Sequence, residues 1–220
     1  MTPPILYAHP FSSYSQKVLI AFYEKAAPFE LRLLSPENPS ASAELRARWT
    51  LEKFPVLQAG NRTLLESSII IEWLDLHHAS RERLIPADPD AALEVRMLDR
   101  IFDNYVMSPM MAIVFDRLRP EPVRDPHGVG VAHTMLDRAC QWLDERMKTR
   151  EWAVGKNFTL AECAAAPALF YADWMHPIER YSALAGYLQR LLDRPSFRRC
   201  VEDARPYRHL FPGGAPADRD

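Results

Sequence analysis

Three short stretches carry the side chains best suited to chemistry: Ser12-Ser13-Tyr14-Ser15, Lys53-Phe54-Pro55-Val56 and Glu66-Ser67-Ser68. Glu66 can accept a hydrogen bond from an ammonium group, and a helix opening at Ser67 can hold a carboxylate at its positive end. The backbone of Phe54, just before a strand, can pair with an extended peptide. Together these suit a short peptide with a free α-carboxylate. Ser12 lies on a turn opened by Pro10, between a buried strand and a helix. Its hydroxyl, or that of Ser13, is a natural helix cap. Nothing around it supplies a Ser/His/Asp triad.

The elements that must position these residues follow from local pattern. Ile5-Leu6-Tyr7 reads as a short buried strand, followed after the serine turn by a helix to about Lys25. Phe29, Leu31 and Leu33 alternate with charged residues, the period of a half-buried strand. Ser42 to Leu51 is expected to form a second helix. Val56 to Ala59, the turn Gly60-Asn61, and Arg62 to Leu65 read as a hairpin. Pro55 sits where a missing N–H does least harm, and it is a candidate for a cis bond. Ser67 is expected to cap a helix reaching about His77. The order βαβ-αββα makes a parallel pair followed by an antiparallel hairpin.

Composition limits the alternatives. The chain has 220 residues, 48% of them hydrophobic and 25% charged, with a net charge of −2. That length fits one or two domains with a full core. The charge balance argues against an obligate nucleic-acid partner. No apolar run approaches the ~20 residues of a membrane span, and no signal peptide is evident. Cys140, Cys163 and Cys200 form neither a metal pattern nor a CxxC pair, so no metal is expected and a reducing cytoplasm is the default location.

The second half reads as helix almost throughout. A linker is expected over 80–89, where Pro86 and Pro89 disfavour regular structure. Asp90 is expected to cap a long helix carrying Leu93, Met97, Ile101 and Tyr105 at helical spacing, kinked near Ser108-Pro109. Further helices are expected over 131–147, 160–174, 181–192 and 196–204. Thr159-Leu160-Ala161-Glu162 is a capping box. A disordered tail is expected from Pro212. The chain thus divides into residues 1–79, a linker 80–89, a helical region 90–211 and a tail 212–220.

This order of elements, with Ser12-Ser13-Tyr14-Ser15-x-Lys17-Val18, Phe54-Pro55-Val56-Leu57, Glu66-Ser67 before Ile69-Ile70-Ile71-Glu72-Trp73-Leu74, and Phe158-Thr159-Leu160-Ala161-Glu162, resembles the glutathione S-transferase family over nearly the whole chain. The resemblance implies a thioredoxin-like α/β N-terminal domain, an all-α helical C-terminal domain, and a homodimer. It implies glutathione as co-substrate, held by Lys53, Phe54, Glu66 and Ser67, with Lys53 meeting the glycyl carboxylate. Ser12 ranks first as the hydroxyl facing the glutathione sulfur, Tyr14 second and Tyr7 third. Cysteine stands at neither position 12 nor 14, which argues against thiol–disulfide exchange. An apolar electrophile is expected against Tyr105, Met111, Phe115, Tyr171 and Trp174. As plain residues, Lys53 is equally a solvated lysine, Glu66 and Ser67 a strand end and a cap, and the apolar set helix-packing core. A non-catalytic member of the fold, binding a protein or sequestering ligands, and a glutathione-dependent isomerase are the other readings. Two departures stand out. Glu52 precedes Lys53 where relatives often have glycine, and Glu162 replaces the family's buried aspartate.

Overall fold

A computed structural model describes residues 2–78, 83–217 and 219. The chain opens with β1 (Ile5–Ala8), α1 (Ser13–Glu24), β2 (Glu30–Leu33), α2 (Pro39–Arg48), β3 (Val56–Ala59), β4 (Arg62–Leu64) and α3 (Ser67–His77). The sheet order is β2-β1-β3-β4. β1 runs parallel to β2 with Leu6 opposite Leu31, and antiparallel to β3 with Leu6 opposite Leu57. This is the expected thioredoxin-like arrangement. α2 begins three residues earlier than the pattern suggested, because Pro39 takes the first helical turn, where its missing N–H is harmless. Gly60 turns the hairpin with a positive φ of 57°, a backbone that glycine adopts at no steric cost.

The rest is helical: α4 (Pro89–Ile101), a π-helical turn (Phe102–Met107), α5 (Ser108–Arg117), α6 (Pro126–Met147), α7 (Leu160–Met175), α8 (Ser182–Asp193) and α9 (Pro195–Ala204), then a 3₁₀ turn Arg205–Leu210. Asp88, not Asp90, caps α4, its side chain accepting from the Ala91 N–H at 2.8 Å, with Pro89 opening the helix. The expected kink at Ser108-Pro109 is a π-helical turn one turn earlier. Of the expected linker, residues 80–82 lie outside the described residues, as does Ala79. Leu84 and Ile85 are buried, and Leu84 lends its carbonyl to the N–H of Leu160 at 2.9 Å.

Alternation along β1 sends Leu6 and Ala8 into the main core and Tyr7 to the other face of the sheet. The main core continues from α1 and α3 into α4, α6 and α7, so the two halves share apolar packing. The capping box at the head of α7 is fully formed. Glu162 is entirely buried and accepts from Thr159 N (2.8 Å), Thr159 Oγ1 (2.6 Å), Ala153 N (2.7 Å) and Tyr187 OH (2.9 Å). Each oxygen therefore takes two donors, one of each pair from backbone and one from a side chain.

The expected disordered tail is instead packed where it is described. Phe211 is buried, Arg208 donates to the carbonyls of Pro216 and Arg219, and Arg219 pairs with Asp173 and Glu179. The Pro-Gly composition reads as disorder, but aromatic and arginine anchors bind the segment to α7 and the loop beyond it.

Candidate functional site

A cleft of about 700 Å³ lies between the α/β unit and the helices. Ser12, Tyr14, Lys53, Phe54, Glu66 and Ser67 all line it, so the three chemistry-bearing stretches meet in one place.

Ser12 is the N-cap of α1, with extended backbone (φ −89°, ψ 124°) and Oγ accepting from the Ser15 N–H at 3.3 Å. The hydroxyl therefore spends a lone pair on the cap and keeps its hydrogen for another acceptor. At the other end of the floor, α3 begins differently from expectation. Glu66, not Ser67, holds the N-cap position, and its side chain makes no capping bond. That first turn thus opens beside the cleft without a side-chain cap, the arrangement that binds a carboxylate. Ser67 occupies the first helical position, buried beside them. Glu66 has φ 68° and ψ 122°, an unfavourable backbone for a residue with a Cβ. Strain of that kind, held at a cleft, marks a constrained site.

The Phe54–Pro55 peptide is cis. Both ladders of β3 stop at Val56 and Leu57, so the Phe54 backbone lies beyond them. Glu52 also lines the cleft, but its carboxylate is gripped by Arg46 at 3.0 and 3.2 Å, which offsets the added charge. Its φ of 53° is the left-handed conformation that glycine takes most easily.

Tyr7 is not a sulfur partner. It points to the opposite face of the sheet, where its hydroxyl donates to Glu44 at 2.7 Å; burial and that bond push its pKa up to about 12. Tyr14 does reach the cleft. Burial, with the charge of Asp103 beside it, pushes its pKa up to about 12.

The opposite wall is apolar. Met110, Met111, Val114 and Phe115 of α5 face the floor, and Phe11 and Tyr171 close one end. Leu210, Phe211 and Pro212 complete it from the C-terminal segment; of these, Pro212 falls in the expected tail. Two expected residues are elsewhere. Tyr105 is 49% exposed and does not line the cleft; it continues the exposed side of the helix marked by Leu93 and Met97. Trp174 is buried behind the wall, packed edge-on to Phe211 at 5.0 Å and under the Arg208 guanidinium. Of the row Leu93, Met97, Ile101, Tyr105, only Ile101 packs against the core and the other three are exposed; Ala92, Val95, Leu98 and Phe102 are the buried face.

The sequence reading also missed the ionic seam behind the cleft. Lys17, 1% exposed on α1, meets Asp99 at 2.5 Å, Asp103 at 2.7 Å and Ser68 at 3.0 Å. Arg100 reaches both carboxylates at 2.7 Å, and Arg100 and Asp103 line the cleft. Burial pushes the Asp103 carboxyl up from its ordinary value. A lysine inside the apolar stretch of α1 was the available signal, since a buried ammonium demands counter-ions.

Comparison with known proteins now adds to this geometry. Residues 6–82 match the model of the glutathione S-transferase N-terminal domain, and residues 90–190 that of the C-terminal domain. A glutathione S-transferase from Methylobacterium radiotolerans, solved in complex with glutathione sulfonate, is 30% identical. It superposes with a TM-score of 0.80 over 91% of this chain and 95% of its own. Among curated proteins, the probable maleylacetoacetate isomerase 2 of Drosophila melanogaster is 25% identical, covering 89% of this chain and 86% of its own length. The FtsZ-localized protein A of Caulobacter vibrioides is 27% identical, over 96% and 94%. With two domain models in sequence, a relative alike over almost its full length and the cleft these similarities predict, the chain belongs to the glutathione S-transferase family.

Proposed function

We propose that the cleft binds glutathione and transfers its thiolate to a neutral, apolar electrophile. One observation carries the reading: two helix N-termini, capped α1 at Ser12 and uncapped α3 at Glu66, open into the same cleft, opposite an apolar wall. The γ-glutamyl group lies at Glu66 and Ser67, the cysteinyl backbone pairs with Phe54, and Lys53 meets the glycyl carboxylate. The sulfur faces Ser12. Holding both reactants in one crevice supplies proximity, and the helix end favours the developing charge balance. Calorimetric titration tests the site: Glu66→Ala and Ser67→Ala each weaken glutathione binding by ~1–3 kcal/mol, as for charge-assisted hydrogen bonds. Unchanged affinity in both variants places the ligand elsewhere.

Two other readings have a named relative behind them. An isomerase acting on a carboxylated substrate needs cations near the second subsite; the wall of Met110, Met111, Val114, Phe115 and Phe211 offers none, and Arg100 of the same cleft is already paired with Asp99 and Asp103. A panel of neutral and acidic electrophiles separates these two. A protein-binding role without catalysis has no use for a complete peptide site, and retention on immobilised glutathione separates that case.

The outward row on α4 and its neighbour α3 supports a homodimer. Leu93 and Leu76 are 67% and 72% exposed, and Ile69 and Met97 extend the apolar surface around the Glu72–Arg96 pair. Symmetric pairing is the commonest way to cover such a face. Sedimentation giving only the 25.3 kDa species at micromolar concentration rejects it. The three buried free thiols suit a reducing cytoplasm, where conjugation of apolar electrophiles is a detoxifying reaction.

A further inference from the structure

Gln16 lies on α1 and is fully buried, yet neither the capping of that helix nor the peptide site uses it. Its Nε2 donates to the carbonyl of Pro10 at 2.9 Å and to the hydroxyl of Tyr171, on α7, at 3.0 Å. The Pro10 carbonyl can only accept, so the amide orientation is fixed. Among the described residues Gln16 Oε1 meets no donor, and the two donor bonds alone hold the side chain in place. Tyr171 in turn donates to the carbonyl of Phe11 at 3.4 Å, and its ring packs edge-on to the Phe11 ring at 5.7 Å. The two carbonyls immediately before Ser12 are therefore held by one amide–phenol pair, half of it contributed by the helical unit.

The rest of the turn is equally constrained. Ser12 N–H donates to His9 O at 3.0 Å, Phe11 N–H to His9 Nδ1 at 3.1 Å, and Gln16 N–H to Ser12 O at 2.8 Å. The His9 ring lies edge-on to Tyr207 of the C-terminal segment at 4.5 Å. The Gln16–Tyr171 and Tyr171–Phe11 bonds join the Ser12 turn to a side chain that also forms the wall of the apolar subsite, and the Phe11 ring meets Phe211 of that wall edge-on at 6.3 Å.

We propose that Gln16 and Tyr171 are a positioning pair that fixes the Ser12 turn from across the domain seam, so that the helical unit governs how firmly the thiolate is held. The inference rests on the glutathione reading. Tyr171 is not a catalytic residue here: burial holds its phenol neutral at all working pH values, and it acts through the Phe11 carbonyl and the Gln16 amide. An electrophile pressing on the Tyr171 ring then bears on the turn that presents Ser12, which couples the two subsites.

The test is a spectroscopic titration of the glutathione thiol bound to the full chain, alongside affinity and thermal unfolding. Tyr171→Phe keeps the ring and removes only the hydroxyl. It raises the apparent pKa of the bound thiol by about half to one unit, a roughly three- to tenfold change in the ionisation constant. Glutathione affinity stays within about twofold, since no ligand contact is lost. Gln16→Met shifts the titration in the same direction, and the double variant resembles Gln16→Met alone because the two act as one link. In a Ser12→Ala background, Tyr171→Phe has no further effect. A Tyr171→Phe protein that melts earlier but titrates like wild type overturns the inference and leaves glutathione binding intact. A full additional shift in the Ser12→Ala background overturns it too, because the pair then acts by another route. A wild type that shows no glutathione-dependent thiolate at all sinks the functional reading and this inference with it.

Discussion

Replacing Ser12 by alanine separates two jobs that one hydroxyl performs. The bond from the Ser15 N–H to Ser12 Oγ, at 3.3 Å, is longer than the usual N–H···O distance of ~2.9–3.0 Å. Its loss belongs at the low end for an N-cap, ~0.5–1 kcal/mol of stability. The hydrogen of the same hydroxyl is free for the thiolate, and a hydrogen bond to a charged acceptor contributes ~1.5–3 kcal/mol. At 1.36 kcal/mol per unit, that lowers a thiol of pKa ~8.5 to between ~6.3 and ~7.4. At pH 7 the thiolate is then ~30–80% of the bound glutathione, against ~3% without help. Ser12→Ala therefore cuts the conjugation rate ~10–30-fold near neutrality, with glutathione affinity mostly kept.

The pH dependence carries the sign. The thiolate is the reactive form, so the deficit is largest below pH ~7 and closes above ~9.5, where the thiol ionises unaided. The assay is thiolate absorbance against pH, paired with the pH profile of kcat/KM. If Ser12→Ala melts slightly earlier but titrates like wild type, the hydroxyl is only a cap. If Tyr14→Phe loses the thiolate instead, the sulfur partner is Tyr14, whose neutral hydroxyl stands in the same cleft. Tyr7→Phe is the control, because its hydroxyl serves Glu44 on the far face.

Three further outcomes test the frame around the site. Glu162→Gln keeps the shape but turns an NH₂ toward two of four donors, and denaturant titration should show ~2–4 kcal/mol lost; a change under ~0.5 kcal/mol refutes the role of the carboxylate. Lys17→Met strands Asp99 and Asp103 without their buried ammonium and should cost ~3–5 kcal/mol by the same measurement, with a loss under ~1 kcal/mol counting against the seam as an ionic lock. Burial holds His133 and His176 below the ordinary histidine value, His133 also through the charge of His176, although Asp137 lies 2.8 Å from His176. The native state therefore binds fewer protons than the unfolded chain below pH ~6.5, and stability present above that pH falls as the medium is acidified. Urea midpoints from pH 8 down to 5.5 should decline less steeply in His133→Asn; equal slopes discard the assignment.

The order of elements was legible because period and punctuation agree along this chain. Alternation marked β2, Gly60-Asn61 marked the hairpin, and the three-residue spacing of Thr159 and Glu162 marked the head of α7. Side-chain destinations were less legible where the deciding neighbour lies far away in sequence. Tyr7 ranked third as a sulfur partner by likeness to tyrosine-type relatives, yet strand alternation already sends it opposite to Leu6. The row 93, 97, 101, 105 shows that a face is apolar but not what covers it. Tyr105 lies with Leu93 and Met97 on the exposed side and does not line the cleft. Trp174 lost its place to Phe211, a residue whose neighbours read as tail. Lys17 was quoted as motif, and only its burial shows that it needs Asp99 and Asp103.

That ionic seam sharpens the case for Ser12. Lys17 and Arg100 bring two positive charges to within 2.7 Å of Asp99 and Asp103, which bring two negative ones. A balanced cluster of this size projects little net field beyond its own contacts. Arg46 offsets Glu52 in the same way at the rim. The nearby charges therefore leave a bound thiolate without a dedicated cation. The stabilisation has to come from short-range donors, and the first turn of α1 with the Ser12 hydroxyl is the donor set at that end of the cleft. If instead the field of Arg100 dominated, Arg100→Met would raise the thiol pKa as much as Ser12→Ala does. A shift in Arg100→Met well below that of Ser12→Ala is the outcome this balance requires.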